Sequence, residues 1–352
     1  MQYKGKAVDV RKVGRELGVR YVLQGSIRRA GERVRVSVQL IDALTGTHRW
    51  AERYDRQIED VFAVQDEVAR TIVAILAAHV NKAEIERTLN KPPETWQAYD
   101  YYLRAVTAHA SVWSSYKAAE LYDARRLLRQ SIAIDPSYAR AYARLAFSHV
   151  TAWVNPLDGD YLNPAALDQA YQLARQAVQL DPNLPQARAQ LGHILVRRRE
   201  HEAALAEFER AMALNPNFTD WRFGEALIYT GEPARAVEAV ERHMRLDPFY
   251  APLAPGFLGF AHYMLKQYSQ ALPWLRECAS RSPDLRASHN WLAATYAQLG
   301  DIEKAKAEAA EVLRIDPRWT IVGAGMQLNA FKRTEDAEQF FDGLRKAGLP
   351  ER

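Results

Sequence analysis

Residues that could do chemistry are present in this sequence, but their spacing does not assemble a catalytic or metal centre. The nine histidines are His48, His79, His109, His149, His193, His201, His243, His262 and His289. No two of them have the short spacing of a two-histidine metal motif, and His193 and His201 fall on different predicted helices. Asp158-Gly159-Asp160 starts like a calcium loop, but no glutamate stands at its twelfth position, so it reads as a turn. Gly323-Ala324-Gly325 has no strand before it and no third glycine at the offset of a phosphate cradle. No Gly-x-Ser-x-Gly nucleophile motif occurs, and Cys278 is the only cysteine. The expectation is therefore no catalytic residue, no metal, no cofactor and no enzyme. What the residues can do is shape a surface.

The elements that position that surface repeat. Asp-Pro, Asn-Pro or Ser-Pro closes successive segments at Pro136, Pro182, Pro216, Pro248, Pro283 and Pro317, with gaps of 46, 34, 32, 35 and 34 residues. A period near 34 closed by proline predicts stacked helical hairpins, because one such unit cannot bury its own apolar face. Small and large residues agree in register. Leu191, Gly192, Ala204, Phe208 and Ala211 precede Pro216; Leu258, Gly259, Ala271, Leu275 and Cys278 precede Pro283. Leu292, Ala293, Ala305, Ala309 and Val312 precede Pro317, and Phe223, Gly224, Ala236 and Val240 precede Pro248. Glycine or alanine lets two helices approach, while the large apolar groups fill the space between hairpins. Proline cannot continue a helix and pushes the preceding residue out of helical geometry. Two insertions interrupt the rhythm, one at 153–160 and one around His109 to Tyr116. The last unit, from Trp319 to Leu349, keeps two helical segments without the period.

This pattern resembles the tetratricopeptide repeat (TPR) family. The resemblance implies a mainly α fold, a right-handed superhelical solenoid of about six to seven helix pairs over residues 94–352. In such arrays the first helix of each pair lines an inner groove. Transferring that register gives Phe147, His193, Arg197, Trp221, Glu225, Tyr229, Phe260, Tyr263, Asn290 and Gln298 as groove residues. Aromatic side chains on a concave face are binding anchors. The Lys-and-Asn carboxylate clamp of chaperone-tail receptors is absent from this register. The implied partner is a protein or peptide, partly apolar, or a neighbouring domain of the same system.

Residues 1–57 follow a different period. Tyr21, Leu23, Gly25 and Ile27 alternate with their neighbours, as do Val34, Val36, Val38 and Leu40, which predicts half-buried strands. Ala30-Gly31-Glu32 reads as the turn of a hairpin. A short helix from Val8 to Leu17 precedes the strands, and a long connecting helix is expected over 58–93. The runs Tyr3-Lys4-Gly5-Lys6-Ala7-Val8-Asp9-Val10, Val13 to Ser26 and Gln39-Leu40-Ile41-Asp42-Ala43 are similar to a TolB amino-terminal-like α/β domain of bacterial signalling proteins. There the domain joins a TPR array to an upstream class III adenylate/guanylate cyclase or winged-helix module. Relative to that family the α/β piece is partial, lacking a first strand and helix, and no cyclase metal-binding pair is present. The reading is a non-catalytic regulatory scaffold. The alternative is the regulatory half of a cyclase or of a winged-helix regulator.

Composition sets the remaining bounds. The 352 residues are 48% hydrophobic and 26% charged, ordinary for a folded protein of two domains. The net charge of +4 comes from 47 basic and 43 acidic residues, well mixed; even Arg197-Arg198-Arg199 is followed by Glu200 and Glu202. No continuous basic stripe marks a nucleic-acid partner. No apolar run approaches the ~20 residues of a membrane span. A single cysteine and no leader pattern point to the cytoplasm. The sequence sets no oligomeric state.

Overall fold

The computed structural model describes residues 9–31, 33–57, 61–89 and 97–352. The Tyr3–Val8 segment, Glu32 and both ends of the helix expected over 58–93 lie outside the described residues. The chain divides into two compact units, one of residues up to Arg87 together with Leu246–Phe249, and one of Thr88–Arg245 and Tyr250–Arg352.

In the first unit, helix α1 (Val10–Leu17) starts where the Asp9 side chain accepts from the Arg11 amide, and Gly18 ends it at φ +64°. Only glycine adopts that left-handed geometry without strain. Three antiparallel strands follow in the order β1-β2-β3: β1 (Tyr21–Ala30), β2 (Arg33–Asp42) and β3 (Thr47–Gln57). Tyr21 faces Asp42 and Ala30 faces Arg33, and a register shift separates Leu40 from Ile41 against β3. The period-two alternation places Val36 and Val38 on one face. There they pack with Trp50, Tyr54, and Val68 and Ile72 of α2 (Val61–Leu89). The helix expected only as a connector is thus part of this unit's core.

In the second unit the repeat reading becomes six helix pairs. They are α3 (Ala98–Ser115) with α4 (Ala118–Ile134), α5 (Ala139–Val154) with α6 (Pro164–Leu180), and α7 (Pro185–Arg197) with α8 (His201–Leu214). Then come α9 (Trp221–Thr230) with α10 (Pro233–Leu246), α11 (Leu253–Met264) with α12 (Tyr268–Arg281), and α13 (Arg286–Gln298) with α14 (Ile302–Ile315). Every second helix buries one stripe at i, i+4 and i+7. The stripes are Ala124/Leu128/Ser131, Ala170/Ala174/Ala177, Ala204/Phe208/Ala211, Ala236/Val240/His243, Ala271/Leu275/Cys278 and Ala305/Ala309/Val312. The glycines facing them sit where a side chain has no room. A Cβ at Gly259 would stand 2.7 Å from Leu275 and 3.0 Å from the Ala271 carbonyl; one at Gly224 would stand 2.2 Å from Val240.

The acid or amide before several of these prolines has a second role. Asp135, Asp181 and Asn215 each accept, through the side chain, from the amide two residues on, at 2.9–3.0 Å. That Asx turn satisfies a backbone donor where the helix has stopped. The insertion near 109–116 extends α3, and the one near 153–160 forms the loop between α5 and α6. The chain after α14 does not stack as a seventh pair. A wide turn (Ile321–Gly325) and a single helical turn (Met326–Leu328) lead into α15 (Thr334–Lys346), which packs on α13, α11 and α14.

Candidate binding site on the inner face of the solenoid

The first helices of the pairs converge on one face. Phe147, His193, Arg197, Trp221, Glu225, Tyr229 and Asn290 line a single cavity of about 70 Å³. Its rings run from pair to pair. Phe147 is 5.9 Å from His193, His193 is 6.2 Å from Trp221, and Trp221 stacks on Phe257 at 5.3 Å and 15°. Phe257 meets Trp291 edge-on at 5.0 Å.

Charge inside this aromatic wall is paired. Arg197 donates to Glu225 and, at 2.7 Å, to the Leu328 carbonyl. His193 Nε2 lies 3.2 Å from the other Glu225 oxygen, which has no well-aligned donor. Glu225 is fully buried. Burial pushes its carboxyl upward, but Arg197 and His193 outweigh that and hold it below the usual range. Burial holds the His193 imidazole below its ordinary value, against the opposing pull of Glu225. The pair therefore carries a carboxylate beside an imidazole that is neutral at neutral pH.

The remaining predicted groove residues meet the chain's own C-terminal segment. Phe260 and Tyr263 are fully buried, with the Phe340 ring 5.0 and 5.9 Å away. The Tyr263 hydroxyl donates to the Gln339 carbonyl at 2.9 Å, and Gln298 donates to Asp342 at 3.0 Å. Tyr229 donates to the Asn329 side chain, while its carbonyl accepts from the Lys332 amide at 2.8 Å. The expectation of exposed aromatic anchors at Tyr229, Phe260 and Tyr263 is corrected here: residues 326–346 cover all three. The covering segment keeps the ring faces out of water and satisfies both tyrosine hydroxyls.

Sequence reasoning did not single out Phe257, Trp291 and Arg286 on the cavity wall, nor Leu328, Asn329 and Phe340 on its lid. Phe257 and Trp291 stand 34 residues apart, so the period carried that signal. The lid residues lie beyond the last repeat and carry none.

Comparison with known proteins agrees with this architecture. The tetratricopeptide repeat family matches residues 185–218 and 287–318. A protein of Rhizobium meliloti (strain 1021) named "Putative adenylate cyclase 3" is 46% identical over 168 residues, 48% of this chain. The match spans only 28% of that relative's length. Among solved structures, the APC/C hetero-tetramer Cut9–Hcn1 superposes with a TM-score of 0.50 at 17% identity, over 71% of this chain and 45% of that one. The type IV pilus biogenesis factor PilW gives 0.43 at 18% identity, over 66% and 96%. The fold is a TPR-type helical solenoid preceded by a small three-stranded antiparallel unit.

Proposed function

We propose that this chain is a non-catalytic regulatory module whose inner solenoid face holds a polypeptide segment of a protein partner. The observation that carries the reading is how the inner face treats residues 326–346. It grips main chain as well as side chains: Arg197 donates to the Leu328 carbonyl, Arg199 to that of Met326, and Tyr263 to that of Gln339. Donors aimed at carbonyls, beside aromatic walls, suit any segment of similar shape. A partner segment would take the place of 326–346.

The test uses that sequence as the probe. Phe331→Ser plus Phe340→Ser removes two rings that seat the segment. A labelled peptide of residues 326–346 should then bind the double variant saturably and the unaltered chain at least tenfold more weakly. Adding Tyr263→Phe and Arg199→Gln should weaken it again. A double variant that keeps its helix content yet takes up no peptide refutes the reading.

A second reading is favoured by the 46% identity to the Rhizobium meliloti relative. The chain would be the regulatory part of a cyclase-type signalling system, with the N-terminal unit serving as a TolB-like relay. In either case the purified chain should form no cyclic nucleotide from ATP or GTP with Mg²⁺ or Mn²⁺. Sustained product in a preparation free of host cyclase would sink the non-catalytic assignment. A cytoplasmic location fits the buried, unbridged Cys278, and among the described residues no helix is long and apolar enough to cross a membrane.

A further inference from the structure

We infer that the cavity between the inner face and the C-terminal segment is a binding site for a small organic carboxylate. The argument starts from Arg286. This side chain lines the cavity and is 4% exposed. Its one hydrogen bond among the described residues is to the Val154 carbonyl at 3.3 Å, and its Nε has no partner. No carboxylate of the described residues lies within ion-pair distance of it. A buried guanidinium without a counter-charge is expensive, and proteins normally supply one. The other charges of the wall do not help, because Arg197 and Glu225 already balance each other.

Three further features select the ligand. Arg286 opens helix α13; the Leu285 and Ser288 amides are already bonded to the Ser282 and Leu285 carbonyls, which leaves those of Arg286 and Ala287 at a terminus that favours an anion. Asn290 lies one turn further on the same wall; its unpartnered buried atom is Oδ1, an acceptor, so its side-chain NH₂ is the group that would donate to an anion. Of the other unpartnered buried atoms in this cavity, Arg197 Nε is a further donor, while His193 Nδ1 and Glu225 Oε2 are acceptors that water would complete. Buried polar groups that lack partners gather where water or a ligand completes them. The rest of the lining is apolar: Val150, Val154, Leu253, Phe257, Trp291 and Leu328. Such a wall suits an aliphatic body and disfavours a strongly hydrated dianion such as phosphate. A space of about 70 Å³ holds several water-sized groups and therefore a compact acid.

The consequence is a coupling. Leu328, Asn329 and Phe340 close the cavity, so a bound carboxylate would touch both the solenoid and its cover. It would hold residues 326–346 in place and thereby oppose a competing segment. This site does not depend on the peptide reading, and its test reads small-molecule binding alone.

The experiment titrates formate, acetate, propionate and butyrate, each against its neutral amide, into the full chain. Tryptophan fluorescence reports the binding, since Trp113, Trp221 and Trp291 line the cavity. At least one acid should saturate and exceed its amide at least tenfold, a comparison that needs no variant. Arg286→Gln should lower that affinity at least tenfold with circular dichroism unchanged. Asn290→Asp, which puts a carboxylate into the wall, should do the same and stands in if the first variant fails to fold. No saturable acid, or amides that bind as well, overturns the site. A blocked dipeptide with a free C-terminal carboxylate is the last probe. Its binding in the absence of any free acid would assign the site to a polypeptide terminus and overturn the small-acid assignment.

Discussion

Four buried histidines of the second unit are shifted in one direction. Burial holds His109 well below its ordinary value, and Arg144 and Arg125 add to the effect. Burial and then Arg125 bring His149 down to about 4, although Asp160 opposes them. His193 and His201 shift the same way, burial being the largest cause in each. A histidine with a depressed folded value binds its proton more readily once unfolded. Stability is therefore intact above the ordinary value near 6.5 and is lost as pH falls from there toward the folded value. His289 has the opposite sign: burial opposes it, but Glu308 at 2.7 Å raises it, which adds stability on the acid side. Four against one predicts a lower urea midpoint at about pH 5 than at about pH 7.5. His149→Gln should remove roughly 2 kcal/mol of that loss, from one pH unit being about 1.4 kcal/mol. A midpoint that rises on acidification contradicts the assignment. None of this was visible in the sequence. His193 was legible as an inner-face residue, because the period set its register. Its pairing with Glu225 depends on two helices meeting, and no period reports charge complementarity between pairs.

At the scale of elements the period was a steric instruction, and the buried stripes are its outcome. Phe208 is 1% exposed between Gly192 and Phe223, so Phe208→Ala should cost about 3–5 kcal/mol. Gly259→Ala tests the opposite error. Alanine favours an isolated helix by about 1 kcal/mol over glycine. Here its methyl would press on Leu275 and on the Ala271 carbonyl, and backbone cannot step aside as a side chain tip can. The expected result is a net loss of about 1–3 kcal/mol in urea melts. A stabilised Gly259→Ala variant would mean that α11 and α12 are not in close contact at this point. Helix pairs and the period-two strands were legible because each rests on contacts that recur at fixed spacing. The role of α2 was not: its apolar residues show that a face is buried, but not which partner buries it.

At the scale of the molecule the decisive contacts lie outside the repeat. In the sequence, residues 319–349 form an atypical last unit without the period, and nothing in their pattern says where that segment packs. Its destination depends on particular rings and donors meeting across more than seventy residues of sequence. Phe331, Phe340 and Phe341 join the core of α7 to α14, to which α5 and α6 contribute only Trp153 and Ala166, whereas most buried residues of α5 and α6 share a second core with α3, α4 and α7. In a stack of hairpins each unit is stabilised chiefly by its neighbours, so loosening at one end need not reach the other. The Phe331→Ser plus Phe340→Ser variant should therefore lose protection in a graded way. Hydrogen exchange should become fast at the amides of 326–346, intermediate in α11 and α13, and unchanged in α5 and α6. Lys332 and Arg333, exposed within that segment, should become faster sites of tryptic cleavage. If instead α5 and α6 exchange as fast as α15, the segment is inseparable from the solenoid as a whole. A partner could then not displace it without unfolding the inner face it is meant to bind.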